Sequence, residues 1–417
     1  MRIRTVLNQE YSFKRFVYTK ERFEEVNGKK SVVIDVKPRK NSKPICSGCG
    51  HPSSTYDHLA ERLFMHIPLW GFMVYLAYVM RRVNCDSCGI KVEQLPWASG
   101  KSRSTNAFKL YLSRWAKRLS WQEVSQVFKV SWDTVFDSVR WVVEYGLSRR
   151  DLSGVEAIGV DEVQYQKGHK YLTLVYQLDS GSRRLLYIAK DRTVDSLNQF
   201  FIQLGKMRTE SIRYICSDMW KPYLKVIKEQ APKALHILDR FHIVAMLNKA
   251  VDEVRREETN RLSREGYEPV LKKSKYCFLK NPENLTIDQQ AKLDELMQYD
   301  LKSIEAYLLK ESFQGYWDYK SPYGANRYLR AWCKTADASD LKPIKKFVKT
   351  VKKHSGLMMN WFKAKKAYSS GIVEGLNRRV NLVTRKSYGY RSFKTLEIAL
   401  FHTMGDLSEP QITHGFS

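Results

Sequence analysis

Cys46 and Cys49 are separated by two residues, as are Cys85 and Cys88, and a glycine (Gly50, Gly89) follows each pair. Two intervening residues let one tight turn present both thiolates to one ion, and the glycine permits the positive φ that such a knuckle needs. The repeat predicts structural zinc held tetrahedrally by four sulfurs. His51, His58 and His66 are lesser candidates, and each reads more simply as an ordinary polar residue on a loop or strand. A second chemistry rests on oxygen. The apolar run AIGVDEVQY (157–165) leads into Asp161 and Glu162, and SIRYICSD (211–218) ends in Asp218. A carboxylate at the end of an apolar strand is often no more than turn chemistry. Two of them sent to one place would repel unless cations neutralised them, and oxygen-only ligands suit magnesium or manganese. Two such ions can activate a water or a 3′-hydroxyl on one side of a phosphodiester and stabilise the leaving oxygen on the other.

Whether those aspartates meet depends on the elements that carry them. VEAIGVD (155–161), KYLTLVYQLD (170–179) and RRLLYIAK (183–190) read as a three-strand meander, with SGS turning between the last two. TVDSLNQFFIQL (193–204) places Val194, Leu197, Phe201 and Leu204 on one helical face. SIRYICSD is a fourth strand, KPYLKVIKEQA (221–231) a helix, and KALHILDRFHI (233–243) a fifth strand entering another helix. The order βββαβαβα is that of a ribonuclease-H-like core, whose first and fourth strands are neighbours. Asp161 and Asp218 would then come within reach of one another. A third carboxylate is expected from a helix beside them. Glu374 fits, in the first turns of SSGIVEGLNRRVNLVTRKSYGYRSF (369–393), where a helix N-terminus keeps an acid ionised.

The front half of the chain has a different character. Residues 104–146 carry Trp121, Val124 and Phe128, then Val135, Val139 and Val142, at helical intervals, with Ser131 available as N-cap between the two sets. Two short helices and a tight turn predict a helix-turn-helix that offers Trp132, Thr134 and Arg140 to DNA. Lys and Arg number 71 against 44 acids, a net charge of +27 that favours a polyanionic partner. A composition 43% hydrophobic excludes a disordered chain. No export signal is legible in MRIRTVLNQEYSFKRF, and IPLWGFMVYLAYVM (67–80) is too short for a membrane span and reads as β structure. Seven cysteines without a secretory context point to a reducing cytoplasm.

Asp218 and Glu374 lie 156 positions apart, more than one strand and a helix require, so a helical insertion is expected between them. Its far end, LKPIKKFVKTVKKHSG (341–356), sets Lys342, Lys345, Lys349, Lys352 and Lys353 against Ile344, Phe347, Val348 and Val351, an amphipathic helix whose lysine face is either solvated or set against phosphate. Arg378, Arg379, Arg385 and Lys386 follow Glu374 closely enough to hold a scissile backbone.

Taken together, the paired cysteines, GVDEVQYQKGHKY, CSDMWKPYLKVIKEQAPKALHILDRFHIV and GIVEGLNRRVNLVTRKSYGYRSF resemble, in order and over nearly the whole chain, the bacterial insertion-sequence transposases of the DDE type known as the ISL-three family. The resemblance implies Asp161, Asp218 and Glu374 as the catalytic triad for two magnesium or manganese ions. It also flags Asp239 and His242 as an Asp-x-x-His pattern, either catalytic participants or a strand end with a packing histidine. It further implies double-stranded DNA as partner, both the element's terminal inverted repeats and target DNA, a homodimer on that DNA, and a cytoplasmic, nucleoid-associated location. No membrane is involved.

The expected architecture is multidomain α+β. It comprises a β-rich zinc ribbon domain (1–100), a helix-turn-helix (101–150), the first part of a ribonuclease-H-like core (151–250), an all-helical insertion (251–355) and the core's last part with Glu374 (356–417). The expected activity is DNA strand cleavage and transfer. A non-catalytic DNA-binding regulator and a structure-selective nuclease of the same fold are the competing readings. The first is disfavoured by the three acids, the second by the specific DNA-binding front half.

Overall fold

The computed structural model describes residues 3–411 apart from 167, 369, 388 and 391. Two compact units result, Met1–Asp151 with Val383–Ser417, and Leu152–Leu382.

The first unit opens with helix α1 (Ile3–Glu10) and strands β1 (Phe16–Val26), β2 (Lys29–Pro38), β3 (Ser54–Leu69), β4 (Phe72–Cys85) and β5 (Gly89–Val92). The sheet runs β1-β2-β4-β3, with β5 paired to β4. Two-residue turns close both hairpins. Asn27-Gly28 joins β1 to β2 and Trp70-Gly71 joins β3 to β4, with positive φ at all four residues (50°, 73°, 48° and 83°), the backbone of a tight hairpin turn. The greasy run 67–80 is therefore one hairpin, as its composition suggests. Trp97 fills the core, its ring set edge-on to Phe16, Phe64 and Tyr78 at 4.8–6.1 Å. Beside it Arg81 and Glu93 form a buried ion pair of 2.8 Å. Tyr78 Oη also donates to Glu93 and Arg81 Nη1 donates to the Ser42 carbonyl, so both charges are satisfied.

Three helices follow, α2 (Asn106–Arg118), α3 (Trp121–Val127) and α4 (Trp132–Ser148). Their starts are set by Thr105, by Ser120 in a capping box with Glu123, and by Ser131, whose hydroxyl accepts from Thr134 N. Trp121, Val124, Val135, Val139 and Val142 are all buried, while Phe128 is half-buried.

The second unit contains β6 (Ala157–Gln166), β7 (Lys170–Gln177), β8 (Leu185–Lys190), α5 (Val194–Leu204), α6 (Lys206–Ser211), β9 (Tyr214–Ser217), α7 (Lys221–Gln230), β10 (Leu235–Leu238) and α8 (Arg240–Arg264). The sheet order is β10-β9-β6-β7-β8. β6, β7 and β8 are antiparallel, and β9 and β10 run parallel to β6. On one face Ile158, Val160 and Val175 pack against Leu197, Phe200 and Phe201 of α5 and Tyr223 and Ile227 of α7.

The remaining helices are α9 (Lys275–Leu279), α10 (Ile287–Leu296), α11 (Lys302–Gln314), α12 (Pro322–Ala338), α13 (Lys342–Lys363), α14 (Ser370–Lys386) and α15 (Phe393–Met404). Among the described residues of the expected insertion there is no strand. Its edges are continuous with the sheet unit, since α8 is one helix of 25 residues and α13 packs on β10. Buried Glu258 of α8 accepts from Lys302 N and from both N and Oγ of Ser303, capping α11 where its own N-cap residue, Leu301, cannot. In α13 the four apolar residues named above are buried, Lys342, Lys349, Lys352 and Lys353 are exposed, Lys345 is half-buried, and Lys352 is tied to Asp337.

Two expectations differ from what is observed. The first strand of the sheet unit does not stop at Asp161 but runs to Gln166, because β7 continues as its partner after β9 has ended, pairing Val163 with Leu172. Residues 356–417 do not stay in one body. From Val383 they belong to the first unit, where α15 packs on α4 and Leu407 sits over Gly146, at which a Cβ would lie 2.5 Å from that leucine's Cβ.

Candidate active site and zinc centre

Between β2 and β3 lies the first cysteine knuckle, and at the β4–β5 turn the second. Gly50 and Gly89 adopt φ of 75° and 69°, the left-handed backbone each turn demands. The four sulfurs lie within 4.8 Å of one another, with Cys49 and Cys85 3.5 Å apart and all four thiols unbridged. Zn–S bonds of ~2.3 Å in a tetrahedron place sulfurs about 3.8 Å apart, close to the spacing of this cluster, so four thiolates suffice for zinc and no other donor is needed. His66 is buried elsewhere, on Thr105 Oγ1 at 2.9 Å, and His51 contributes its backbone, its carbonyl accepting from Cys46 N and its backbone hydrogen-bonding Cys49.

The second centre is built by strand register. Gly159 of β6 pairs with Cys216 of β9, and Ser217 pairs with Leu238 of β10. Extending both registers by one or two residues puts Asp161, Asp218 and Asp239 in one row across three adjacent strands, about 4.8 Å between neighbours. Burial raises Asp161 to about 6. Asp218 is likewise raised to about 6, by burial and then by the charge of Glu162. Burial disfavours the charged form of both, and Glu162 adds negative charge beside them, a condition a divalent cation relieves. Asp239 is committed locally: Oδ1 caps α8 through Phe241 N at 2.7 Å and Oδ2 meets His242 Nδ1 at 2.9 Å. That hydrogen bond, with the fields of Asp161 and Asp218, holds the imidazole protonated up to about 9. His242 therefore faces the aspartate pair as a cation.

Helix α14 crosses the opposite face of the sheet. Val373 sits on Gly159, where a Cβ would come within 2.6 Å of its Cγ2, so only glycine lets the helix approach. One turn on, Asn377 Nδ2 donates to Asp161 Oδ2 at 2.6 Å, and the buried Tyr176 hydroxyl donates to Asn377 Oδ1 at 2.8 Å. The tyrosine proton fixes which way the amide points. Glu374 precedes Asn377 by three residues on this helix, half-exposed, and pairs with Arg378 at 2.6 Å. Its carboxylate does not join the others, since among the described residues the four cysteines are the sole metal-ligand cluster drawn within 4.8 Å.

Residues 158–400 match the family described as Transposase, of the DDE ISL3 type, and residues 42–88 match the zinc-finger of transposase IS204/IS1001/IS1096/IS1165. The chain is 30% identical over 389 residues to the transposase for insertion sequence element IS1557 of Mycobacterium tuberculosis, covering 88% of this chain and 86% of that one. It is 27% identical over 351 residues to the transposase for insertion sequence element IS1001 of Bordetella parapertussis, covering 83% and 85%. The chain belongs to the ISL3 family of DDE transposases. As a transposase it is an enzyme acting on DNA.

The transposase's other sequence-predicted residues have mixed surroundings. Trp132 is partly exposed, stacked on Phe136 with ring centroids 5.5 Å apart and tilted on Trp121. The Thr134 hydroxyl lies 2.9 Å from Ser131 Oγ, and Arg140 pairs with Asp137 at 2.7 Å. Arg378 and Arg379 are exposed in the second unit, whereas Arg385 and Lys386 are exposed in the first. Sequence reasoning missed Asn377 and Tyr176 as site residues, and it named Glu162 beside Asp161 without giving it a role; Glu162 is half-buried, its Oε1 pairs with Arg192 at 2.9 Å, and its buried Oε2 has no partner among the described residues. Only the amide's spacing of three from Glu374 hinted at its role. Asn377→Leu keeps the helix and removes the donor to Asp161. It is expected to slow strand cleavage by about 10–100-fold, the usual cost of losing a group that orients a metal ligand, and to raise the metal concentration needed for half-maximal rate. Cleavage rates titrated with manganese at fixed DNA check this; an unchanged titration removes Asn377 from the site.

Proposed function

We propose that this transposase recognises the terminal inverted repeats of its own element through the zinc ribbon and a helix-turn-helix formed by α3 and α4, then cuts and joins strands on a ribonuclease-H-like core. The observation that carries the reading is the placement of Asp161 within β6 next to the strands whose ends lead into Asp218 and Asp239, with α14 tied to Asp161 through Asn377. Asp161, Asp218 and Glu374 would hold magnesium or manganese. When bound there, a divalent pair supplies Lewis-acid activation of a water or 3′-hydroxyl and charge neutralisation at the leaving oxygen. Asn377 orients Asp161. His242, cationic and oriented by Asp239, stands ready to hold oxygens of the scissile phosphate. Among the described residues Glu374 is restrained by Arg378 alone, and an exposed i, i+4 pair is worth only about 0.3–0.5 kcal/mol, a small obstacle to its recruitment.

In this reading residues 1–100 and 101–150 bind the element's ends, and 251–355 elaborate the core. Arg378, Arg379, Arg385 and Lys386 contact backbone, and two subunits hold two ends together at the nucleoid. Among the described residues no helix is long and apolar enough to cross a membrane. The test is incubation with magnesium, a labelled duplex bearing the element's end, and a supercoiled plasmid. Nicking at the end followed by covalent joining to the plasmid is expected. Cleavage that ignores end sequence and never joins would instead make the protein a nuclease.

A further inference from the structure

The loop that enters α2 is held from beneath. Met65 N donates to the Arg103 carbonyl and Thr105 N to the Met65 carbonyl, both at 2.8 Å, and Arg62 Nη2 donates to the Ser102 carbonyl at 2.9 Å. The backbone is pinned, yet its cations are not neutralised. Among the described residues, neither Lys101 nor Arg103 forms an ion pair. Lys109 is a further anomaly: only 8% of it is exposed, among the described residues no carboxylate comes within ion-pair distance although Asp137's charge, shared with Arg140, reaches it, and its Nζ rests over the Trp141 ring at 5.5 Å. Burying a lysine without a counter-ion is costly, and burial does lower its pKa.

These cations share one furrow. Two hollows of about 460 and 460 Å3 flank the first turn of α4, and both are lined by Arg103, Ser104 and Thr134. One adds Lys101, Lys109 and Arg140; the other adds Arg62 and Lys129. Of the acids facing the furrow, Asp137 is spent on Arg140 and Glu61 on Arg22, leaving Glu144. A pinned backbone, hydroxyls and uncompensated positive charge beside a helix start make a preorganised receptor for anionic oxygen.

We propose that this furrow, centred on Lys101, Arg103 and Lys109, is a clamp for the phosphodiester backbone of double-stranded DNA, gripping the strand beside the bases that α4 meets. The inference rests on the DNA-binding reading of α3 and α4 and adds the β-sheet domain's loop to it. The clamp contributes affinity without sequence preference.

Binding of the full-length, zinc-loaded protein to labelled duplexes, one carrying the element's end and one scrambled, is measured by fluorescence anisotropy over a range of NaCl. The double variant Lys101→Ala/Arg103→Ala is expected to weaken both duplexes about equally. The loss should be roughly 10- to 30-fold near ~0.15 M salt, with the slope of log K against log salt reduced by about 2, since each phosphate contact contributes ~0.9. Arg103→Lys retains the slope. Lys109→Met reduces it by about 1 while leaving the melting temperature equal or higher, because a buried unpaired charge is removed. Unchanged slopes on both duplexes in the double variant and in Lys109→Met would overturn the clamp. Loss of preference between the two duplexes with a falling slope would leave the clamp standing and overturn end recognition instead.

Discussion

Asp161→Asn and Asp218→Asn, made singly, are expected to reduce strand cleavage by at least about 10³-fold while DNA binding stays within about twofold of wild type. Removing one oxygen ligand from a divalent site forfeits several kcal/mol of transition-state charge stabilisation, at 1.36 kcal/mol per tenfold in rate. Asparagine matches the shape of the lost side chain, and at Asp218 its oxygen can still accept from Trp220 N, whereas at Asp161 it can accept from only one of Glu162 N and Asn377 Nδ2 and sets its own amide donor against the other. Stability gives an independent sign. An acid whose folded pKa is raised from 3.8 to about 6 opposes folding as pH rises through that window, because the folded protein must release a proton it holds more tightly than the unfolded chain does. At neutral pH the metal-free protein bears that cost, roughly 3 kcal/mol at most for either group. The neutral isostere escapes it. Asp218→Asn should therefore melt at or above the wild-type temperature without metal while being catalytically dead, the trade expected of a site strained for function, whereas at Asp161 the lost acceptor offsets that gain. Calorimetry beside a cleavage assay checks both halves. Retained turnover would exclude the substituted aspartate from the centre, and a lowered melting temperature in Asp218→Asn would mean that its charge is needed structurally.

How much of this was legible depended on how local the signal was. The alternation of strands and helices from β6 to α8 could be read because each element carries its own period, and Ser131 could be read as a cap because capping is settled within three residues. The knuckles were legible for the same reason. The strand that carries Asp161 was legible but its end was not: the end of pairing with β9 looks, along the chain, like the end of the strand, although β7 continues beside it. Asn377 was illegible, since an amide on a helix is an unremarkable polar residue until Tyr176, 201 positions away, fixes its orientation. The return of residues after Val383 to the first unit depends on Leu407 meeting Gly146, a contact that leaves no periodic trace. Glu374 stands between these cases. Its helix and position were readable, but its partner in the metal-free protein, Arg378, was not anticipated.

The other large effect concerns zinc. Few apolar contacts hold the knuckles together, as the cluster around them consists of Cys46, Val83 and Cys85 with Cys49 and Cys88 at its edge. Arg81, held by Glu93 and donating to the Ser42 carbonyl, anchors the loop before the first knuckle, and a few backbone bonds, such as Ser47 N to the Val92 carbonyl and Gln94 N to the Ile45 carbonyl, link that knuckle to the residues around the end of β5. A bound zinc would then supply most of the free energy that fixes both loops, and apparent values of about 10–16 kcal/mol are typical when such metal binding is coupled to folding. Even a third of that lost from the first unit should lower its melting transition by roughly 7–20 °C, at ~2–4 °C per kcal/mol for a body of this size. Cys46→Ser, whose sulfur is fully buried, should do so outright, and a strong chelator should do so to the wild type. One zinc per chain by elemental analysis, lost in the variant, would accompany the shift. The transition of the second unit, which contains none of the four cysteines, should remain where it was. If chelation left both transitions and DNA affinity unchanged, the four thiols would be a packing arrangement and the ribbon would stand on its strands alone.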